Sequence, residues 1–229
     1  DANLSPGTRI HFVEVPKSNY QNLHIDSVGL RTPSDSGLDE YQSIFTNHQM
    51  SYSSITELNG NKHFNFNDHN QQLFDIYSNE HNTGVPLGMP SFESTVNPLH
   101  QIQGLGPVIL KVNELPITAS ILTNVFGLNI FAEYHPYEDS TQAIQVFKIG
   151  EGGLGGELHL YEAETEINNE DVGMIEQIEF STQNKSEFEN AKQTLDDIGI
   201  PYQTLEQDDS DSLRITEKSG ISFIYTLEK

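Results

Sequence analysis

With nine histidines, 34 acidic side chains and no cysteine in 229 residues, the chain offers imidazole and carboxylate groups in number but no thiol chemistry. Thiol nucleophiles, disulfide scaffolds, Cys-ligated zinc and iron–sulfur clusters are excluded, and any bound metal must be held by His, Asp or Glu. Two groupings stand out: Asp68-His69-Asn70-Gln71-Gln72-Leu73-Phe74-Asp75-Ile76 and Leu158-His159-Leu160. On a strand His159 points to the face opposite its leucine neighbours, and inward polar residues of a curled sheet can line a small-molecule cleft. His63, His69 and His81 lie in or beside hairpin strands and turns, where solvation or a local hydrogen bond is the plain reading. The glycines between Gly150 and Gly156 are not followed by the Lys-Ser/Thr of a phosphate loop, so the segment reads as a tight turn. No nucleophile-elbow pattern supports Ser-His-Asp catalysis.

The charge balance, 11 basic against 34 acidic residues for a net −23, argues against a nucleic-acid partner, because a phosphate backbone is bound by clustered Lys and Arg. It gives a self-repelling, soluble surface. No apolar run is long enough for a membrane span, no signal-peptide pattern opens the chain, and the lack of cysteine fits a cytoplasmic location. Residues Glu206 to Asp211 read as a solvated turn between strands.

The elements that must position these groups follow one plan three times. A strand near Ser27–Leu30 leads to a helix pattern at Leu38, Tyr41, Phe45 and His48, with Ser36 and Asp39 as capping residues. Extended pieces follow near Ser53–Leu58, Lys62–Phe66 and Gln72–Tyr77, the first two joined by Asn59-Gly60-Asn61, a hairpin signal. A second unit opens at Gly106–Val112 and continues with a helix at Ile117, Ile121, Leu122 and Val125, stopped by Gly127. Its strands read at Asn129–His135, Gln142–Ile149 and Gly156–Tyr161. A third opens at Ile175–Phe180, with a helix capped by Ser186 and Glu189, a buried stripe of Phe188, Ala191, Leu195 and Ile198, and a stop at Gly199. Strands near Tyr202–Glu206, Ser212–Thr216 and Ser222–Leu227 complete it. Matched first- and last-strand positions are Val28 with Phe74, Val108 with Leu160, and Ile178 with Ile224. The repeated unit is β-α-β-β-β.

That unit, and several stretches within it, resemble the vicinal oxygen chelate superfamily, the glyoxalase, bleomycin-resistance and extradiol dioxygenase group. More narrowly the chain looks like bacterial ring-cleaving dioxygenases of the hydroquinone type, which carry four modules. Ile102-Gln103-Gly104-Leu105-Gly106-Pro107-Val108-Ile109-Leu110-Lys111-Val112 is similar to a third-module opening, and Leu122-Thr123-Asn124-Val125-Phe126-Gly127-Leu128 to the helix after it. Gly155-Gly156-Glu157-Leu158-His159-Leu160 and Gly173-Met174-Ile175 resemble the approach to a fourth module, and Ser5-Pro6-Gly7-Thr8-Arg9-Ile10-His11-Phe12 the final strand of a first. The resemblance implies an α+β fold of repeated βαβββ modules forming curled mixed sheets around a cleft. It divides the chain into a first-module remnant at 1–15, a second module at 16–80, a crossover linker at 81–103, a third module at 104–162, a linker at 163–173 and a fourth module at 174–229. Most of the first module is expected to lie outside this sequence.

The resemblance also implies Fe(II) or Mn(II) held by two His and one Glu, with open positions for a dihydroxylated ring and O2. Carried over residue by residue, the fourth-module His ligand falls on Gln177, or on Glu176 with a one-residue slide, and the last-strand carboxylate falls on Ile224. The usual ligands therefore look lost. In the other modules Asp75 takes the last-strand carboxylate position and His159 its counterpart, while their first-strand partners, Ser27 and Pro107, are weak ligands. The expected function is that of a relative of ring-cleaving dioxygenases acting on hydroquinone- or catechol-type aromatics. The alternative is a non-catalytic protein of the same fold that binds an aromatic or drug-like molecule. Asp75, His159, Glu176 and Gln177 are the cleft candidates, the partner is a small aromatic molecule, and a homo-oligomer is left open.

Overall fold

A computed structural model describes residues 9–14, 23–136, 141–167 and 176–228. Among the described residues, twelve strands and three α-helices alternate in three repeats of strand, helix, three strands. The first comprises β1 (Ile25–Thr32), α1 (Asp35–Asn47), β2 (Thr56–Leu58), β3 (Asn61–Asn67) and β4 (Leu73–Ser78). The second comprises β5 (Gly104–Val112), α2 (Leu115–Ser120), β6 (Asn129–Tyr134), β7 (Ile144–Lys148) and β8 (Glu157–Glu162). The third comprises β9 (Gln177–Thr182), α3 (Lys185–Ile198), β10 (Gln203–Glu206), β11 (Ser210–Thr216) and β12 (Ser222–Glu228).

The first two repeats share one eight-stranded sheet in the order β2-β3-β4-β1-β5-β8-β7-β6, joined where β1 runs antiparallel to β5. Within each repeat the opening strand pairs in parallel with the closing one, which makes the sheets mixed. The third repeat forms a separate four-stranded sheet, β10-β11-β12-β9. This is the α+β architecture of curled mixed sheets that the resemblance implies.

Leu38, Tyr41 and Phe45 of α1 pack on Phe64 and Ile76, the outward-turned residues of β3 and β4. A larger core joins the second and third repeats: Leu122, Val125 and Phe126 meet Phe180, Phe188, Leu195, Phe223 and Tyr225. Phe126 anchors this joint, with its ring 5.6 Å from Phe180 and 5.4 Å from Tyr225. Burying large aromatics of both repeats in one cluster makes their packing mutually dependent.

Several local details depart from the sequence reading. Ser34, not Ser36, stands at the N-cap of α1, and its side chain makes no capping bond. Asn184, rather than the Ser186–Glu189 pair, caps α3, its side chain accepting from the Ser186 and Glu187 amides. Asn184 lies two positions before Ser186, and the oxygen of its short side chain reaches the free amides of the first turn. His48 is the exposed C-cap of α1, and Ile117 and Ile198 are more than half exposed at helix ends. The second helix widens into a π turn over Ile121–Val125, with the Leu128 amide donating to the Leu122 carbonyl, before Gly127 reverses the chain at φ 69°. In register, Val28 pairs with Phe74, but Val108 pairs with Leu158 and Ile178 with Phe223, two and one residues earlier than the sequence spacing implied. Of the stretch Ser5–Phe12 read as a first-module strand, residues 5–8 lie outside the described residues, and 9–12 carry no strand.

Candidate functional site

The antiparallel junction of β1 and β5 places Val28 opposite Val108. On the far side of each, Val28 pairs with Phe74 and Val108 with Leu158, so the next residues, Asp75 and His159, occupy equivalent places in the two repeats. The strands approach so closely here that a Cβ on Gly29 would collide with the Pro107 carbonyl. Alternation then fixes the facing: Ile76 belongs to the outer core and Phe74 stacks on Phe66 at its margin, while Asp75 and Tyr77 turn to the inner face. On β8, Leu158 and Leu160 lie in the outer core and Glu157 and His159 face inward.

All of those inward residues but Asp75 line a cavity of about 300 Å³, with Leu58, Pro107, Phe131, Val146 and Leu154 as apolar wall and Tyr77, Glu133, Tyr134, Glu157 and His159 as polar groups. Asp75 lies buried beneath it, accepting from Ser27 Oγ through one oxygen and lying 3.1 Å from His63 Nδ1 through the other. His63 in turn stacks on Tyr77, ring centroids 4.8 Å apart. Across the junction, His159 Nδ1 lies 3.0 Å from the Tyr134 hydroxyl and its Nε2 lies 3.1 Å from Glu157 Oε2. Burial pushes the Tyr134 phenol up to about 12, helped by the nearby Asp75 and Glu157 charges, and burial likewise raises the Tyr77 phenol well above its ordinary value. Both tyrosines are therefore protonated donors at neutral pH.

The four residues singled out from the sequence separate into two places. Asp75 and His159 share the cup formed by β1–β8. Glu176 does not join them: its carboxylate accepts from the His24 and Ile25 amides at 2.9 and 2.7 Å, fastening the start of the third repeat to the start of β1. Gln177 pairs with Ser222 at the β9–β12 edge, and Ile224 pairs with Glu179 two residues along. Glu179 accepts from Thr226 Oγ1 at 2.6 Å. The residues missed were Tyr77, Tyr134 and Glu157; His63, read from the sequence as solvated or locally hydrogen-bonded, is held by Asp75 and Thr56. Two carried a signal, since Tyr77 follows Asp75 by two residues and Glu157 precedes His159 by two, which puts each on its neighbour's face.

Among the described residues, no three His, Asp or Glu side chains are grouped so as to hold a metal ion. The cup's donors are used in pairs, Asp75 with His63 and Glu157 with His159, instead of converging on one point as a two-His, one-carboxylate triad does. This donor set does not fit Fe(II) or Mn(II). Among the described residues, no helix is long and apolar enough to cross a membrane.

A Bacillus subtilis protein named "Putative ring-cleaving dioxygenase MhqA" is 31% identical to this chain over 165 residues, 71% of the chain. The chain belongs to the vicinal oxygen chelate superfamily. It spans about half, 51%, of that relative's length. The fold agrees: a crystal structure of a "putative dioxygenase" from the same species superposes with a TM-score of 0.67 at 15% identity, covering 90% of this chain and 62% of that one. A glyoxalase/bleomycin resistance protein/dioxygenase domain from Frankia matches at a TM-score of 0.45 and 18% identity, over 56% of this chain and 100% of its own. No family model matches the sequence.

Proposed function

We propose that this chain is a small-aromatic-binding member of the superfamily, and that its working cleft is the β1–β8 cup. The observation that carries the reading is the cup itself: aromatic and polar side chains from two repeats face a cavity of about 300 Å³ between apolar walls. That volume suits a single substituted ring, at the small end of ligand pockets. The ligands in view are hydroquinone- or catechol-type compounds, held by hydrogen bonds and ring contacts with no metal required. The module division at residues 16–80, 104–162 and 174–229, a cytoplasmic location and assembly with further copies belong to the same proposal.

The 31% identity to a protein named as a ring-cleaving dioxygenase favours a second reading, ring cleavage by the whole protein with Fe(II) or Mn(II). The two are separated by titrating hydroquinone and catechol calorimetrically with and without chelator, alongside metal content and oxygen uptake. Binding that is unchanged by chelator, without oxygen uptake, is the expected outcome. About one Fe or Mn per chain, with oxygen consumed on either substrate, overturns the metal-free reading.

A further inference from the structure

Tyr77 is 2% exposed, lines the cavity, and its hydroxyl has no hydrogen-bond partner among the described residues. Its ring is fixed by stacking on His63, interplanar angle 11°, so the hydroxyl is held in place rather than free to seek solvent. The hydroxyl opens onto the cavity, where a ligand oxygen can accept its proton, and is not a sealed unpaired atom of the interior; among the described residues that is Gln145 Oε1. Glu157, also lining the cavity, uses only Oε2 on His159; Oε1 has no partner among the described residues. The cup thus presents one unused donor and one unused charged acceptor. The Glu157 carboxylate helps to keep the Tyr77 phenol in its protonated, uncharged form.

We propose that Tyr77 and Glu157 select a neutral hydroxylated ring: Tyr77 Oη donates to a ligand oxygen and Glu157 Oε1 accepts from a ligand O–H, with Phe131, Val146 and Leu154 against the ring. This rests on the cup being the binding cleft. A phenolic hydroxyl supplies both an acceptor and a donor, as these two groups require together. A carboxylate or phosphonate ligand would meet Glu133 and Glu157 as like charges. An ammonium would satisfy Glu157 but leave the Tyr77 proton unpaired. Both residues bind ligand directly and neither takes part in a bond-breaking step.

The test titrates wild type with hydroquinone, 1,4-dimethoxybenzene, benzoate and benzylamine at neutral pH, and repeats the first two with Tyr77→Phe, Glu157→Leu and Glu157→Gln. Hydroquinone binds most tightly in wild type, and dimethoxybenzene, which accepts but cannot donate, binds about tenfold more weakly. Tyr77→Phe weakens both ligands about tenfold, whereas Glu157→Leu weakens hydroquinone alone and Glu157→Gln recovers part of the loss. Should Glu157→Leu fail to fold, the wild-type comparison of the two ligands still decides the acceptor's role. Benzoate or benzylamine binding as tightly as hydroquinone overturns the selection, as does unchanged hydroquinone affinity in Tyr77→Phe. Ala132→Trp, which fills the cavity from its wall, tests the underlying reading separately: hydroquinone binding that survives it, or no binding by wild type, sinks the cup as the cleft.

Discussion

Asp75 and His159 stand at equivalent positions of two repeats, related across the Val28–Val108 pair, yet each is held by side chains of its own repeat. Asp75 is engaged by Ser27 and His63, His159 by Tyr134 and Glu157. A carboxylate and an imidazole at twofold-related places would be natural partners for one another or for a shared ion. Here each repeat closes its own polar network, and the space between them is left as a cavity.

Asp75→Ala should therefore act on stability before it acts on ligand binding. It removes the acceptor for Ser27 Oγ and for His63, both on the inner face of the sheet, at a cost of about 2–3 kcal/mol in urea unfolding. Asp75→Asn, which keeps an acceptor for Ser27, should lose less. Equal losses in the two variants would show that the hydrogen bonds are not what Asp75 contributes.

Arg31 holds the crossover between the first two repeats against the back of the cup. Its guanidinium, 1% exposed, donates to the carbonyls of Leu105 at 2.6 Å, Val85 at 2.9 Å and Pro86 at 3.1 Å, and to Asn79 Oδ1 at 3.0 Å. Burial lowers it to about 10, so it remains charged at neutral pH. Arg31→Lys keeps the charge but cannot reach four acceptors spread around a planar fork. A loss of about 3 kcal/mol is expected, together with faster amide exchange in residues 82–88. Exchange there unchanged from wild type would mean the crossover is held by other contacts.

Much of this fold was legible because βαβββ units repeat their periodicities: the alternation around Val28, Val108 and Ile178 and the helical stripes at Leu38-Tyr41-Phe45 and Phe188-Ala191-Leu195 survive in the structure. Register was less legible. Glycine-rich turns such as Gly150–Gly156 add residues without changing the pairing, so the counted partner of Val108 slipped from Leu158 to Leu160. The site was half legible for a related reason. Period two puts Tyr77 with Asp75 and Glu157 with His159, but nothing local says that Tyr134, on an edge strand, reaches across to His159. Glu176 looked available as a ligand because its neighbours read as a strand opening, while its partners are amides about 150 residues earlier, His24 and Ile25.

The turn before β8 should tolerate no side chain at Gly153. Its φ is 70°, and a Cβ there would collide with the Thr83 carbonyl. The same turn is tied to the crossover by the Leu154 amide on Asn82 Oδ1 at 2.7 Å and the Val85 amide on the Gly152 carbonyl at 2.8 Å. Gly153→Ala therefore combines left-handed strain with a backbone clash, and a cost of about 2–4 kcal/mol is expected. Gly150→Ala, also at positive φ but with open space around it, carries the strain alone and should cost about 1 kcal/mol. Thermal melts of the two variants separate the contributions, and equal shifts would remove the crossover contact from the account.

Glu217 gives the joint between the second and third repeats a pH dependence. Burial raises its carboxyl above the ordinary value of 4.5, against the opposing Thr118 hydrogen bond and the nearby His24. Thr118 Oγ1, on α2, donates to it at 2.7 Å. Because the folded state holds this proton more tightly than the unfolded chain, stability from the group is fully present below the ordinary glutamate range. It declines as pH rises from about 4.5 through the raised folded value, and stays level above that. Glu217→Gln keeps an acceptor for Thr118 without the charge. The variant should match wild type at the acid end of that window and exceed it at neutral pH, measured by urea unfolding across the range. A constant difference between the two proteins at every pH would show that the Glu217 proton is not linked to folding.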